Sequence, residues 1–384
     1  MIEGLEGPED PGARRKLAVR PLTTWSRVGD RPLVIAGPCA AETRTQLFEV
    51  ASALQGSSVD YVRAGVWKAR TRPGTFDGVG DEALKWLKDA ASRHELRAAT
   101  EVATPEHLEK ALAAGIDAVW IGARTTANPF SVQELATALR GSDVPVLVKN
   151  PISPDVALWL GALERVHSAG VRSLVAVHRG FSTVDRRRYR NHPMWQLVIE
   201  LRRLAPDLPV LNDPSHIAGQ RGRVAEVAQR AMDLGLDGLL VEVHPQPQNA
   251  WSDAAQQLTP DELLQLLRDL RVRKTWSEDA EFNASLEALR EEIDRIDTEL
   301  LEALALRMRS VERIARWKRA RNVTSLQLGR WDALLADRMR KALDLRLRPE
   351  YVRKIYDVIH QESIRRQSQL MNDGTDRERG RGET

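Results

Sequence analysis

Short apolar runs alternate with amphipathic stretches from about residue 25 to residue 270. The runs at 33–37, 59–64, 96–101, 118–122, 144–149, 172–178, 208–212 and 237–244 read as strands. They are apolar throughout rather than alternating, the pattern of strands covered on both faces. Helical periodicity follows them, for example over 46–54, 82–91, 105–114, 154–169 and 223–234. Glycines at 115, 170 and 235 stand where the corresponding helices should end. Eight strand–helix units in this length predict an α/β fold, a (β/α)8 TIM barrel, over residues 25–270. No Gly-x-Gly-x-x-Gly follows the first strand, which counts against an open dinucleotide-binding sheet.

The pattern changes after residue 270. Residues 271–282 read as a linker. From residue 283, Leu286, Leu289, Ile293, Ile296, Leu300 and Leu304 recur at helical spacing without Gly or Pro, onward to about Arg321. Further helical patterns cover 328–344 and 349–369, the last opened by Pro349. The prediction is a smaller all-α domain of three helices over 283–372. Its first helix is too long to bury its apolar stripe alone, so a dimer is expected. Residues 1–24 and 373–384 are rich in Gly and charge and are expected to be disordered tails.

Composition narrows the class. A net charge of +3 over 384 residues offers no global basic field for nucleic acid. One cysteine excludes an internal disulfide and suits a reducing, cytoplasmic setting. No run approaches the roughly 18–20 apolar residues of a membrane helix, and the N-terminus is not patterned as a signal peptide.

Functional-type residues cluster at the C-terminal ends of the predicted strands, where barrels of this kind carry their active sites. Cys39 follows the first strand; Arg63, Lys68 and Arg70 close the second; Glu101 ends the third. Arg124, Lys149 and Arg179 mark the fourth, fifth and sixth. His216, in Asp-Pro-Ser-His, follows the seventh, while Glu242 lies in the eighth and Asp253 in the loop beyond. Singly, each has a plain structural reading: a core thiol, a loop-capping histidine, solvated acids and surface bases. Their joint placement at one end of eight strands is harder to obtain from packing. A sulfur, an imidazole and two carboxylates suit a divalent transition metal, and the cations call for phosphate- or carboxylate-bearing substrates.

These residues stand in motifs that resemble a known family. Ala-Gly-Pro-Cys-Ala-Ala-Glu-Thr, Arg-Ala-Gly-Val-Trp-Lys-Ala-Arg-Thr, Ile-Gly-Ala-Arg, Val-Lys-Asn-Pro, Asp-Pro-Ser-His and Glu-Val-His…Trp-Ser-Asp are similar to 3-deoxy-D-arabino-heptulosonate 7-phosphate (DAHP) synthases of the short type I class. The resemblance implies condensation of phosphoenolpyruvate with erythrose 4-phosphate, the first step of the shikimate pathway. It implies Cys39, His216, Glu242 and Asp253 as ligands of a divalent metal of Mn, Co, Zn or Fe type. Arg63, Lys68, Arg124, Lys149 and Arg179 match phosphoenolpyruvate-binding positions, with Lys149 or a metal-linked water as proton carrier. Arg70 and Thr71 match the erythrose 4-phosphate end. The sister enzyme acting on arabinose 5-phosphate typically lacks that Arg-Thr pair. The family's Lys-Pro-Arg-Thr is Lys68-Ala69-Arg70-Thr71 here, which loosens the backbone presenting Arg70.

The segment from residue 288 to 322 admits three readings: a dimerisation helix with solvated charges, a basic helix for nucleic acid, or an anion-binding arginine set. Interleaved acids count against the second. Arg307 and Lys318 lie about three turns apart and share a face, while Arg290 is turned away by roughly 100°. Ser363 and Gln367 are one turn apart. Leu-Arg-x-x-Ile-Asp-x-x-Asp, then Arg307, Lys318, Arg330, Ser363 and Gln367, resembles the all-helical chorismate mutase family over about residues 283–371. The resemblance implies that Arg307 and a partner's copy of Arg290 bind the carboxylates of chorismate. It places Lys318 and Gln367 at the ether oxygen and Arg330 and Ser363 along the site. Gln327 and Trp331 replace an Asp and a Glu of that family, so an inactive domain that senses prephenate or chorismate is the rival reading. Together the two resemblances imply a bifunctional enzyme of aromatic amino-acid biosynthesis, with prephenate as a feedback inhibitor.

Overall fold

The structure, a computed structural model, describes Arg14, Gly29 and residues 17–26, 31–68, 74–183, 188–274 and 276–372. The chain divides into two units, Met1–Thr275 and Trp276–Thr384.

The first unit is a closed barrel of eight parallel strands in sequential order. They are β1 (Leu33–Gly37), β2 (Tyr61–Arg63), β3 (Arg97–Val102), β4 (Ala118–Ile121), β5 (Val146–Lys149), β6 (Leu174–His178), β7 (Val210–Asn212) and β8 (Gly238–Glu242). The apolar runs divide by the two-residue period of a strand. Leu33, Ile35, Tyr61, Ala99, Trp120, Leu147, Val175, Val177, Leu211 and Leu240 meet inside the barrel. The intervening residues, such as Val34, Val62, Val119, Val148 and Val241, pack with helix residues in an outer core. Several strands are shorter than the apolar runs. Asp60, for example, takes the Val34 amide at 3.0 Å and pairs with Arg31, so β2 begins after it.

Around the strands lie α1 (Arg44–Leu54), α2 (Asp81–Arg93), α3 (Pro105–Ala113), α4 (Ala123–Thr126), α5 (Pro129–Ala138), α6 (Val156–Ser168), α7 (Trp195–Leu204), α8 (Pro214–Ala218), α9 (Val224–Asp233) and α10 (Pro260–Asp269). Side chains of Thr43, Thr104, Asn128 and Asp155 cap α1, α3, α5 and α6, and Thr259 with Glu262 forms a capping box on α10. Barrel closure depends on Gly238: a Cβ there would stand 2.2 Å from the Leu33 carbonyl oxygen, opposite which it pairs.

The expected N-terminal tail is shorter than residues 1–24. Leu17 is buried in the outer core, Arg20 donates its amide to the Arg172 carbonyl, and Leu22 and Trp25 pack against the inner core. Burial of these apolar side chains offsets the entropy of ordering the segment. Residues 1–13 and the tail at 373–384 lie outside the described residues.

The second unit contains α11 (Ala280–Ala320), α12 (Leu328–Asp344) and α13 (Pro349–Asn372). The 41 residues of α11 span about 60 Å. Only Val311 and Ala315 of this helix are buried, while Leu289, Ile293, Ile296, Leu300 and Leu304 are exposed along its first half. Among the described residues no helix is long and apolar enough to cross a membrane.

At the end of β6, His178 is packed between the rings of Phe181 and Trp195. Its Nε2–H donates to the Pro193 carbonyl at 2.6 Å, and its Nδ1 accepts from Asn212 at 3.2 Å. Burial holds this imidazole neutral down to about 3, against an ordinary value of 6.5. Between those pH values an unfolded chain takes up the proton and the folded one does not. The stability contributed is therefore complete above pH 6.5 and is lost as pH falls toward 3. At pH 5 the loss should be about 2 kcal/mol. Urea unfolding at pH 7 and pH 5 should show it in the parent, and His178→Gln should reduce it.

Candidate active site

The C-terminal mouth of the barrel brings a sulfur, an imidazole and two carboxylates together. Cys39 leaves β1 after Gly37, where a Cβ would meet the Arg63 carbonyl oxygen at 2.2 Å. Only glycine lets the first two strands close to this distance. His216 sits on α8, whose N-terminus is capped by the Asp213 side chain. Glu242 ends β8, and Asp253 adopts a left-handed conformation at φ 49° in the following loop. Ligand atoms of Cys39, Glu242 and Asp253 lie within 4.8 Å of one another. His216 Nε2 lies 3.7 Å from Glu242 Oε1 and 3.9 Å from Asp253 Oδ2. Its other ring nitrogen, Nδ1, lies 2.8 Å from Asp213 Oδ2, an arrangement that aims Nε2 at the acids.

This donor set fits a divalent transition metal. Burial, and then the charge of Glu242, push the Cys39 thiol up to about 12, although Lys68 beside it acts the other way. Glu242 and Asp253 are held below the usual carboxylate range: the charges of His216 and of nearby arginines and Lys68 outweigh burial. A soft donor, an imidazole and two ionised carboxylates at this spacing are what such an ion requires. The partners that remain are already assigned. Gln256 donates to Glu242 Oε2 at 2.6 Å, and Arg190 pairs with Asp253 Oδ1 at 3.0 Å.

Cations surround this group. Arg63 is buried, 3.4 Å from Glu242 Oε1, and its guanidinium lies over the Trp120 ring. Lys68 Nζ lies 3.1 Å from Cys39 Sγ and 2.9 Å from the Cys39 carbonyl. Lys149 Nζ donates to Asp213 Oδ2 at 2.8 Å, so Asp213 joins Lys149 to His216. Burial brings Arg179 down to about 10, and the charges of Arg190 and Arg124 add to that effect against Asp213. Guanidinium groups that destabilise one another form a receptor for an anion. Trp120, whose indole N–H donates to Glu101 at 3.1 Å, forms the floor. Arg70 and Thr71 lie outside the described residues.

In the helical unit, Arg307 Nη1 donates to Ser363 Oγ at 2.6 Å, and Gln367 is buried one turn beyond Ser363. Burial lowers Arg307 and Lys318 from their ordinary values. Lys318 and Gln327 line a pocket of about 500 Å³ with Ser310, Ile314 and Trp317. Arg290 is exposed and pairs with Glu287, and Arg330 is exposed on α12. Trp331 stacks on His360 of α13, with ring centroids 3.9 Å apart.

A model of the DAHP synthetase I family matches residues 24–276. The chain belongs to that family. A model of chorismate mutase type II matches residues 289–368. The DAHP synthase barrel is thus followed by a mutase domain in one bifunctional enzyme. A phospho-2-dehydro-3-deoxyheptonate aldolase of Thermotoga maritima is 31% identical over 238 residues, covering 62% of this chain and 68% of its own. The crystal structure of a DAHP synthase from the same organism superposes with a TM-score of 0.57 at 30% identity, over 63% of this chain and 69% of that one. A 2-dehydro-3-deoxyphosphooctonate aldolase of Nitratidesulfovibrio vulgaris is 26% identical, over 67% of this chain and 96% of its own.

Sequence reasoning missed several residues of this synthase mouth. Asp213 stands in the Asp-Pro-Ser-His motif, but nothing local in the sequence signals its place between Lys149 and His216. Arg190 lies in a basic run after β6, and that run in a strand-end loop was the available signal. Gln256 and Gln257 carried none, because a glutamine in a loop is unremarkable until its partners are seen. In the mutase domain the same holds for His360.

Proposed function

We propose that the barrel condenses phosphoenolpyruvate with erythrose 4-phosphate to DAHP. The observation that carries this is the convergence of Cys39, His216, Glu242 and Asp253 inside a ring of cations. A divalent ion held by these residues would supply Lewis-acid polarisation of the aldehyde oxygen. Arg63, Lys68, Arg124, Lys149 and Arg179 hold the phosphate and carboxylate of phosphoenolpyruvate and orient its enol carbon toward the aldehyde. That carbon bonds to the aldehyde carbon, whose oxygen takes a proton. Water adds at the carbon that bears the phosphate oxygen, its protons pass to the departing groups and solvent, and inorganic phosphate leaves with the bridging oxygen. Lys149, bound to Asp213, is placed to carry a proton. Arg70 and Thr71 receive the aldose phosphate, and this pair favours the four-carbon sugar over the arabinose 5-phosphate of the sister enzymes.

The metal is of Mn, Co, Zn or Fe type, as sulfur with nitrogen and oxygen donors favours. Chelation should abolish phosphoenolpyruvate consumption, and one of these ions should restore it. Cys39→Ser should lower the rate on the order of a hundredfold or more, in keeping with the several kcal/mol a Lewis acid supplies. Its far-UV circular dichroism should match the parent. Full activity in this variant would sink the assignment.

The second unit, in this reading, converts chorismate to prephenate. Arg307 and the partner protomer's copy of Arg290 bind the carboxylates, Lys318 and Gln367 meet the ether oxygen, and Arg330 and Ser363 line the site. The reaction needs only charge and shape complementarity to a polar transition state. The exposed stripe on α11 supports a homodimer, since a long helix with an unburied apolar face is stabilised by a second copy. Lys318→Ala and Gln367→Ala should each lower kcat by about 10²–10³. Parent protein that binds chorismate without consuming it would overturn the mutase reading and leave a sensor domain.

Both readings allow feedback on the synthase. Prephenate bound at the helical unit is proposed to inhibit the barrel's reaction in a cytoplasmic enzyme. Saturating prephenate should lower the rate of phosphoenolpyruvate consumption; an unchanged rate would rule the regulation out.

A further inference from the structure

The loops that carry Cys39 and Asp253 are tied together by two buried side chains that ligate nothing themselves. Glu42, three residues after Cys39, reaches the loop after β8. Its Oε1 accepts the Trp251 amide at 2.8 Å, and its Oε2 lies 3.3 Å from His244 Nε2. Gln257 reaches the opposite way. Its Oε1 accepts the Cys39 amide at 3.0 Å, while its Nε2 donates to the Ser252 carbonyl at 2.8 Å. Glu42 is 6% exposed and Gln257 is fully buried.

Both contacts fall on residues 251 and 252, immediately before Asp253. Asp253 takes a left-handed backbone, φ 49° and ψ 36°, a region few non-glycine residues occupy. A strained position of this kind persists only where its surroundings fix it. The other end of the clasp is fixed too. Gln46 of α1 accepts the Glu42 amide at 2.9 Å and donates to the Ala40 carbonyl at 3.2 Å.

The two side chains are not interchangeable. His244 Nδ1 accepts the Gln246 amide at 3.0 Å, so the ring hydrogen sits on Nε2 and points at Glu42. Glu42 therefore faces two donors, which a carboxylate can accept and an amide cannot. Gln257 faces one donor and one acceptor, which an amide can satisfy and a carboxylate cannot.

We propose that Glu42 and Gln257 are positioning residues that set the metal affinity of the barrel by holding Cys39 and Asp253 at ligating distance. This rests on the metal reading of the site. Unlike His216, whose orienting partner Asp213 also meets Lys149, neither residue touches a substrate-binding cation among the described residues. Their effect should therefore appear in metal binding before any substrate is added.

The test is titration of metal-free, full-length protein with Co²⁺, read by the thiolate-to-cobalt absorption band. Glu42→Gln and Gln257→Glu keep side-chain size and exchange an acceptor for a donor and the reverse, with opposite changes of charge, so a loss shared by both does not come from charge. Each should weaken Co²⁺ binding by about 10–100-fold, the usual effect of losing a partner behind a ligand. The far-UV circular dichroism of the metal-free variants should match the parent. Variants that bind Co²⁺ as tightly as the parent would overturn the clasp alone. So would weakened binding accompanied by a loss of the metal-free barrel's helical signal. A parent that shows no thiolate band would overturn the metal reading itself.

Discussion

A thiol and two carboxylates, Cys39, Glu242 and Asp253, stand with their ligand atoms within 4.8 Å of one another at the mouth of a barrel. Groups that repel when ionised do not share a small, poorly hydrated volume without opposite charge beside them. Much of the surrounding structure follows from this. Arg63 and Lys68 come from the second strand and its loop, Arg190 from the loop after β6, and His216 from α8. Asp213 then balances His216 and Lys149 together. The result is a chain of polar and charged contacts running from the end of β1 through β8 and α8 to β5.

Barrel closure makes that chain possible. β1 and β8 are neighbours in space through the register Leu33↔Gly238 to Gly37↔Glu242, although some two hundred residues separate them in sequence. Closure also removes sheet edges, so the barrel can expose loops at its mouth without an unpaired strand beside them. The mouth loops have a few backbone bonds, such as the Leu258 amide to the Glu242 carbonyl and the Gly65 amide to the Cys39 carbonyl, and side chains hold the rest. The hydrogen bonds of Glu42, Gln46, Gln256 and Gln257 serve this purpose.

The helical unit follows a different rule. In the barrel, each continuous apolar run is buried on two faces. In α11 an apolar stripe stands exposed over half the helix, while Arg307 reaches Ser363 across to α13. Such a unit has its polar contacts in one chain and leaves much of its apolar face unburied. Charge placement at Arg290, Arg307 and Lys318 is legible from helical angle alone, because 3.6 residues per turn fixes it. Whether Trp331 and His360 touch is not, because they belong to different helices.

Strand number, order and type were legible in the sequence because a two-residue period and a 3.6-residue period are local properties of a chain. Barrel class followed from eight repeats of one unit, and the candidate ligand types were read from their places at strand ends. Strand limits were less legible: Asp60 reads as part of an apolar run, and only its bond to the Val34 amide shows where β2 starts. The N-terminal segment from Leu17 read as a tail for a similar reason, since its burial depends on a surface made by distant strands. What the tertiary structure alone decided was partnership. Asp213 between Lys149 and His216, Arg190 on Asp253, and Gln257 between Cys39 and Ser252 join residues up to 218 positions apart. Local pattern can place a side chain at the end of a strand; only closure of the barrel brings it to its partner.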